Sequence, residues 1–398
     1  MLTTAEATAA ILDAMPEFPA TGTKVEETTG SILRQAVLAE RDQPPFDRVM
    51  MDGVAVRHSN VSDGIREFPI QAMQAAGDAA MTLRDGHCIE IMTGASLPEN
   101  ADCIIPVESI SVEENVATIE AGYKAEHRRF IHPRASDHAE GAELLSTGKR
   151  ITPMDIAIIA SCGLTEVEVS GKPGVRIIST GNELVAAGKP VAPHQIRLSN
   201  GPAIQALLEQ HGYADCGQDH IVDERDQLRA RIKTHLNEAD VLILSGGVSM
   251  GKADYVPEVL ADLGVEVVFH KISQRPGKPM WFGVGPNKQA VFALPGNPVS
   301  ALVCCRQYVI PALEKASLAT ARTPEFASLS ADITFKPDLT CFQPVRLISN
   351  AAGQVLAMPV KTNTSGDFTA LSGTDGYVEL AREQSYFAAG TAVFLYRW

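Results

Sequence analysis

The spacing of apolar residues changes along the chain and divides it. Between residues 175 and 315, short apolar runs alternate with stretches whose apolar residues recur every three or four positions. VRIIS (175–179), VLILS (241–245), VEVVFH (265–270) and VFALP (291–295) read as strands. The stretches 199–212, 226–237, 254–263 and 298–316 read as helices. In the first, Ile204, Leu207 and Leu208 follow helical spacing, Asn200 is a candidate cap, Pro202 suits the first turn and Gly212 ends it. Alternation of this kind predicts a parallel, doubly wound α/β sheet. The flanks are patterned differently. Residues 43–145 hold short apolar runs broken by Gly, Pro and Asp, and read as strand and loop. Residues 325–398 alternate apolar and polar positions between turn signals such as NAAG and SGTDG, which predicts a small β-barrel or sandwich. At the N-terminus Thr3 and Glu6 form a capping box for an amphipathic helix. The stretch 151–164 is a second helix, ended by Gly163 and expected to pack on the first.

Composition narrows the function classes. The 398 residues are 45% hydrophobic and 21% charged, which is globular, and the length calls for several domains. No apolar run is long enough to span a membrane, and the first residues lack the basic start of a signal peptide. The seven scattered cysteines include no C-x-x-C, which points to reduced thiols and a cytoplasmic protein. The net charge of −14 argues against nucleic acid as a partner. A small anion remains possible at a local basic pocket.

Four loops fall where such a pocket forms in open α/β sheets, beyond the C-terminal ends of strands. They are STGNEL (179–184), SGGVSMGKAD (245–254), HKISQRPGKP (270–279) and PGNPVS (295–300). Their glycines admit a ligand to backbone N–H groups. Between Gly264 and Ala290 stand four cations, Lys271, Arg275, Lys278 and Lys288, against one carboxylate, Glu266. In an acidic chain this is a local reversal, although a solvated loop has the same composition. The prolines of RPGKP stiffen the loop that carries two of these cations. Glu183, Asp223 and Asp254 supply the opposite charge, and each is also a candidate helix cap. Carboxylates beside an anion call for a divalent cation such as Mg²⁺ that binds both. GGVSMGKA approaches the phosphate-loop pattern, yet Ala253 stands where the metal-binding hydroxyl belongs. Gly247-Val248-Ser249-Met250-Gly251 matches G-x-S-x-G without an identifiable histidine partner. His127, His132 and His138 do not form a zinc pattern and read as polar loop residues.

Six blocks then carry a resemblance over nearly the whole chain. MMDGVAVR (50–57), IMTGASLPENADCIIPVE (91–108), STGNEL, LSGGVSMGKADY (244–255), RPGKP (275–279) and LPGNPVSA (294–301) stand in the order seen in one family. The sequence resembles the molybdopterin molybdenumtransferases, the MoeA and gephyrin E-domain group. The resemblance implies a multidomain α/β fold: a helical and extended N-terminal domain (1–42 with 146–172), an inserted β-rich domain (43–145), a MogA-like molybdopterin-binding α/β domain (173–320) and a C-terminal β-barrel (321–398). It implies a homodimer whose site forms between the α/β domain of one subunit and the inserted domain of the other. The adenylyltransferase that makes the substrate is then a possible partner. The implied reaction is Mg²⁺-dependent cleavage of adenylylated molybdopterin, with molybdenum from molybdate placed on the dithiolene and AMP released. In that reading Asp52, Glu183, Asp223 and Asp254 position Mg²⁺ and water, with Asp223 and Asp254 as the metal ligands. Gly246, Gly247 and Ser249 line the pterin nucleotide. Thr93 and Asp137 shape the face offered to the partner, and Lys271, Arg275 and Lys278 hold phosphate or molybdate. Pro295 and Pro298 fix the loop beneath the pterin, and Ser365 is carried over from TSGDF. The sequence departs from common members at Asn182, Lys252 and the segment around Asp137. A family arginine falls on Pro344, with Arg346 two residues later. Two other readings stay open: a pterin-binding scaffold of the same fold without turnover, and a P-loop-like ATPase dependent on Lys252.

Overall fold

The computed structural model describes residues 1–247 and 255–398. Two compact units make up the chain: Met1–Gln35 with Thr147–Thr152 and Glu166–Trp398, and Ala36–Ser146 with Pro153–Thr165.

The first unit is built on a six-stranded sheet of β1 (Val175–Thr180), β2 (Cys216–Ile221), β3 (Val241–Ser245), β4 (Glu266–His270), β5 (Trp281–Val284) and β6 (Ala290–Leu294), in the order β2-β1-β3-β6-β5-β4. β1, β2, β3 and β6 are mutually parallel. β5 is antiparallel to both β6 and β4, so the sheet is mixed rather than wholly parallel. The connection from β5 to β6 is a short Pro-Asn-Lys turn, too short for the helical crossover that parallel neighbours need. Because β4 pairs antiparallel with β5, it runs in the sense of the parallel strands, and its outgoing loop leaves from the same edge as theirs.

Both faces are covered, and the strands alternate between them. Val175, Ile177, Val241, Ile243 and Phe292 point into a core with helices Thr4–Ala14, Asn200–Gln210 and 298–316. Ile178, Leu242, Leu244 and Val291 point to the other face, against Arg225–Glu238 and Val256–Asp262. Every core residue of β3 is completely buried, which explains the unbroken apolar run of VLILS. The helix over 298–316 contains a π turn at Cys305–Val309, just before Pro311, whose missing N–H cannot close the α-helical ladder. The N-terminal helix carries the capping box, with Thr3 Oγ1 and the Glu6 carboxylate serving each other's backbone N–H groups. Its Ala7 and Ile11 belong to the core of this first unit, and helix Pro153–Ser161 belongs to the second.

The C-terminal region closes into a barrel of β7 (Glu325–Leu329), β8 (Thr340–Ser349), β9 (Val355–Pro359), β10 (Gly376–Leu380) and β11 (Ala392–Arg397). Its order is β8-β9-β7-β11-β10, and β10 pairs back to β8. The second unit contains another six-stranded sheet, in the order Cys103–Pro106, Gly53–Val56, Cys88–Ile91, Glu67–Gln74, Val116–Ile119 and Ile110–Glu113. All seven cysteines are unpaired. Among the described residues, no helix is long and apolar enough to cross a membrane.

Candidate functional site

The loops leaving the C-terminal edge of the first sheet enclose a cavity of about 760 Å³. Thr180 ends β1 and Glu183 follows it, Asp223 follows β2, Gly246 and Gly247 follow β3, and Pro295 to Pro298 follow β6. The glycines are required by space. Gly246 has φ +102 and Gly247 φ +65, and a Cβ at Gly246 would meet the Thr180 carbonyl oxygen at 2.6 Å. At Gly247 it would meet Val256 Cγ2 at 2.7 Å. The buried Thr180 Oγ1 has no hydrogen-bond partner among the described residues.

Side-chain amides tie the loops together. Asn200 does not cap its helix: its Nδ2 donates to Ser245 Oγ and to the Gly296 carbonyl, each at 2.8 Å, while Ser199 takes the N-cap position without a side-chain bond. Asn182 Oδ1 accepts from the Asp223 backbone N–H at 3.0 Å, and His220 Nε2 contacts the Gly181 carbonyl at 2.8 Å. Neither carboxylate occupies a helix N-cap position. Glu183 precedes a two-residue strand, Leu184–Val185, which pairs with Ile196–Arg197. The N-cap position of the helix after Asp223 belongs to Glu224. Arg197, a cation lining this cavity, is held by the carbonyls of Ala186 and Lys189. Two apolar side chains, Ile196 and Phe368, stand exposed in the wall.

A second cavity, of about 540 Å³, shares Pro279, Pro295 and Asn297 with the first. Arg275 and Lys278 line it from the RPGKP loop, and Lys361 and Ser365 line it from the segment after β9. The RPGKP loop is fastened to the barrel, since Gln274 and Arg275 pair in parallel with Thr340 and Cys341 of β8. Ser365 is fastened to the α/β domain: its Oγ accepts from Asn297 Nδ2 at 2.7 Å and its carbonyl from Val299 N–H at 3.1 Å. Among the described residues, no carboxylate lines this cavity. Burial pushes the Cys341 thiol in its wall up to about 12, despite the neighbouring Arg275 guanidinium, so it stays protonated at neutral pH and is not a thiolate ligand.

The predicted residues therefore sort into groups. Glu183, Asp223, Gly246, Gly247, Pro295 and Pro298 meet in the first cavity, and Arg275, Lys278, Pro295 and Ser365 in the second. Lys271 lines neither; its backbone is bonded to Leu2 and Met280. Ser249, Lys252 and Asp254 lie outside the described residues. Asp52, Thr93 and Asp137 belong to the second unit. There Asp52 Oδ1 accepts from Thr93 N–H at 2.7 Å and Thr93 Oγ1 at 2.6 Å, and these bonds hold the carboxyl below the usual aspartate range. Gly53 makes this turn possible, because a Cβ there would lie 2.0 Å from the Ile105 carbonyl oxygen. Asp137 instead meets His132 at 3.0 Å, whose other ring nitrogen contacts Arg48 at 3.1 Å. Arg346 lies beside Gly373 and does not line the second cavity. Sequence reading missed Thr180, Asn200, Arg197, Lys361 and Phe368 as lining residues. Thr180 sits inside STGNEL and Phe368 inside TSGDF, so both had a motif to point to them, but an isolated Lys361 had none.

Known proteins give the same picture. Residues 2–163 match the MoeA N-terminal region (domain I and II), 176–315 the "Probable molybdopterin binding domain", and 327–398 the MoeA C-terminal region (domain IV). The molybdopterin molybdenumtransferase of Synechocystis sp. is 38% identical, with 100% of both chains covered. That of Bacillus subtilis is 31% identical over 93% of this chain and 87% of its own. A crystal structure of a molybdopterin biosynthesis moea protein from Pyrococcus horikosii superimposes with a TM-score of 0.84 at 28% identity, covering 100% of this chain and 99% of that one. With both sequence and architecture shared from end to end, the chain belongs to the molybdopterin molybdenumtransferase family.

Proposed function

We propose that the two adjoining cavities bind the two substrates of molybdenum insertion: adenylylated molybdopterin in the first and molybdate in the second. One observation carries this. Across a shared wall of Pro279, Pro295 and Asn297, one cavity presents the carboxylates Glu183 and Asp223, and the other presents cations and, among the described residues, no carboxylate. A phosphoanhydride with its divalent cation suits the first, and a tetrahedral oxyanion suits the second.

Mg²⁺ fits the first cavity by its donor set. Among the described residues no group of three His, Cys, Asp or Glu side chains could hold a metal, but Glu183 and Asp223 share the cavity. Mg²⁺ is commonly held by one or two carboxylates together with substrate phosphates. Glu183 and Asp223 would hold it, with Asp254 as a further candidate, and it would neutralise charge developing on the phosphates. Gly246 and Gly247 let the nucleotide approach the backbone, and Thr180 Oγ1 offers an unused donor. Arg275 and Lys278 hold the oxyanion next to the pterin. Water adds to the adenylyl phosphate as the phosphoanhydride bond breaks and AMP leaves; the two dithiolene sulfurs then displace one molybdate oxygen, which departs with the two thiol protons as water. We also propose that the family homodimer completes the site, with the ionised Asp52 and its partner Thr93, and with Asp137, offered to the neighbouring subunit's cavity.

The test uses purified protein with adenylylated molybdopterin, molybdate and MgCl₂, following AMP and cofactor. Turnover is expected, and Glu183→Gln or Asp223→Asn should lower kcat about 100-fold with the unfolding midpoint unchanged. Pterin binding without any AMP release would return the scaffold reading instead.

A further inference from the structure

We infer that Lys361 is a specificity-determining residue for the oxyanion, the third cation of the second cavity; this rests on the functional reading just given. The charge census carries it. In a chain of net charge −14, the cavity of about 540 Å³ is lined by Arg275, Lys278 and Lys361 and, among the described residues, by no Asp or Glu. Among the described residues, no ion pair joins any of the three to a carboxylate, and all three are exposed. Three like charges facing one space repel each other unless an anion joins them. The cavity wall also supplies the hydroxyls of Ser300, Thr362, Thr364 and Ser365, donors of the kind that a tetrahedral oxyanion accepts from on several sides.

Lys361 is placed by the barrel, not left on a free tail. It directly follows Val360, whose N–H donates to the Pro344 carbonyl at 2.9 Å and whose carbonyl accepts from Gln343 Nε2 at 2.8 Å. Two residues on, Asn363 donates to the Asp367 carboxylate from its backbone at 3.2 Å and from its side chain at 2.8 Å. The segment is thus fixed on both sides of the lysine. Arg275 and Lys278 come from the α/β domain and Lys361 from the barrel domain, so both domains bring cations to the lining of one space. The arrangement selects a compact dianion over a monoanion, because each added cation gains more from a doubly charged ligand.

The test is sodium molybdate binding to the full chain by calorimetry, with binding of the adenylylated pterin measured beside it. Lys361→Met should raise the molybdate Kd about tenfold or more. Lys361→Arg should stay within about threefold of wild type, and pterin binding within about twofold. Lys315→Met, which removes the same charge from an exposed helical position outside both cavities, should leave the Kd unchanged. If wild type binds molybdate and Lys361→Met binds it equally well, or if Lys315→Met weakens it as much, the assignment of Lys361 is overturned while the cavity reading stands. If wild type binds the pterin nucleotide but no molybdate, the cavity reading falls and this inference with it.

Discussion

A single methyl group at Gly246 would press on the Thr180 carbonyl from 2.6 Å, in a backbone conformation that already disfavours any side chain. Gly246→Ala should therefore cost about 1–3 kcal/mol of stability and abolish most turnover, read by urea unfolding and AMP release. Gly188→Ala makes the comparison fair: it has φ +81 but open space around it, so only the smaller backbone penalty of about 1 kcal/mol is expected. The glycine turn was legible because a tight turn after a buried strand demands glycine where φ is positive and a Cβ has no room. Asn200 was misread for an equally physical reason. Asparagine ahead of an apolar helix is a good cap by local rules, and only the tertiary fold reveals that its amide is diverted to Ser245 and Gly296. Lys361 was illegible because a lone lysine after a strand has no local signature; only the tertiary fold brings it into one lining with Arg275 and Lys278.

At the scale of elements, helix Asn200–Gln210 ends on His211, which is 8% exposed and whose Nε2 is buried without a partner among the described residues. A helix C-terminus favours a cationic imidazole. Here burial wins, helped by Arg306, Arg322 and Arg150, and lowers the His211 pKa to about 4. The sign follows: the unfolded chain takes up a proton near pH 6.5 that the folded chain refuses until about pH 4. Stability is lost as pH falls through that interval. The urea midpoint should decline from pH 6.5 to 4, and His211→Gln should flatten that part of the decline; an unchanged slope would assign it to other groups. Periodicity identified the buried strands and their helices well, since long apolar runs and three-to-four spacing follow directly from which face is buried. It missed β2, whose CGQDHI is only partly buried, and β5, a hairpin partner of β6 folded into a sheet that otherwise reads as parallel.

At the scale of the whole molecule, the motifs MMDG and IMTGA sit in one compact unit and the two cavities in the other. Six ordered blocks made the family readable from sequence, but no periodicity foretold that Asp52 and Thr93 would be each other's partners. If a homodimer brings that pair to its neighbour, the protein should elute at about twice its 42.6 kDa. Inactive Asp52→Asn and Glu183→Gln chains, reassorted in equal amounts, should then recover about a quarter of wild-type activity: half of the dimers are mixed, and each mixed dimer has one intact site of two. No recovery would place both residues in a site made by one chain. The join between the RPGKP loop and β8 has a wider meaning. Since Arg275 pairs with a barrel strand while Ser365, from the barrel, is bonded to Asn297 and Val299, each domain holds half of the other's contribution in place. If the second cavity takes the oxyanion, its selectivity is heritable only as a joint trait. A lineage that lost or exchanged the barrel would keep most of the acidic chamber and lose the basic one at a stroke, which makes the seam between the two domains, rather than either interior, the place where cargo choice is open to change.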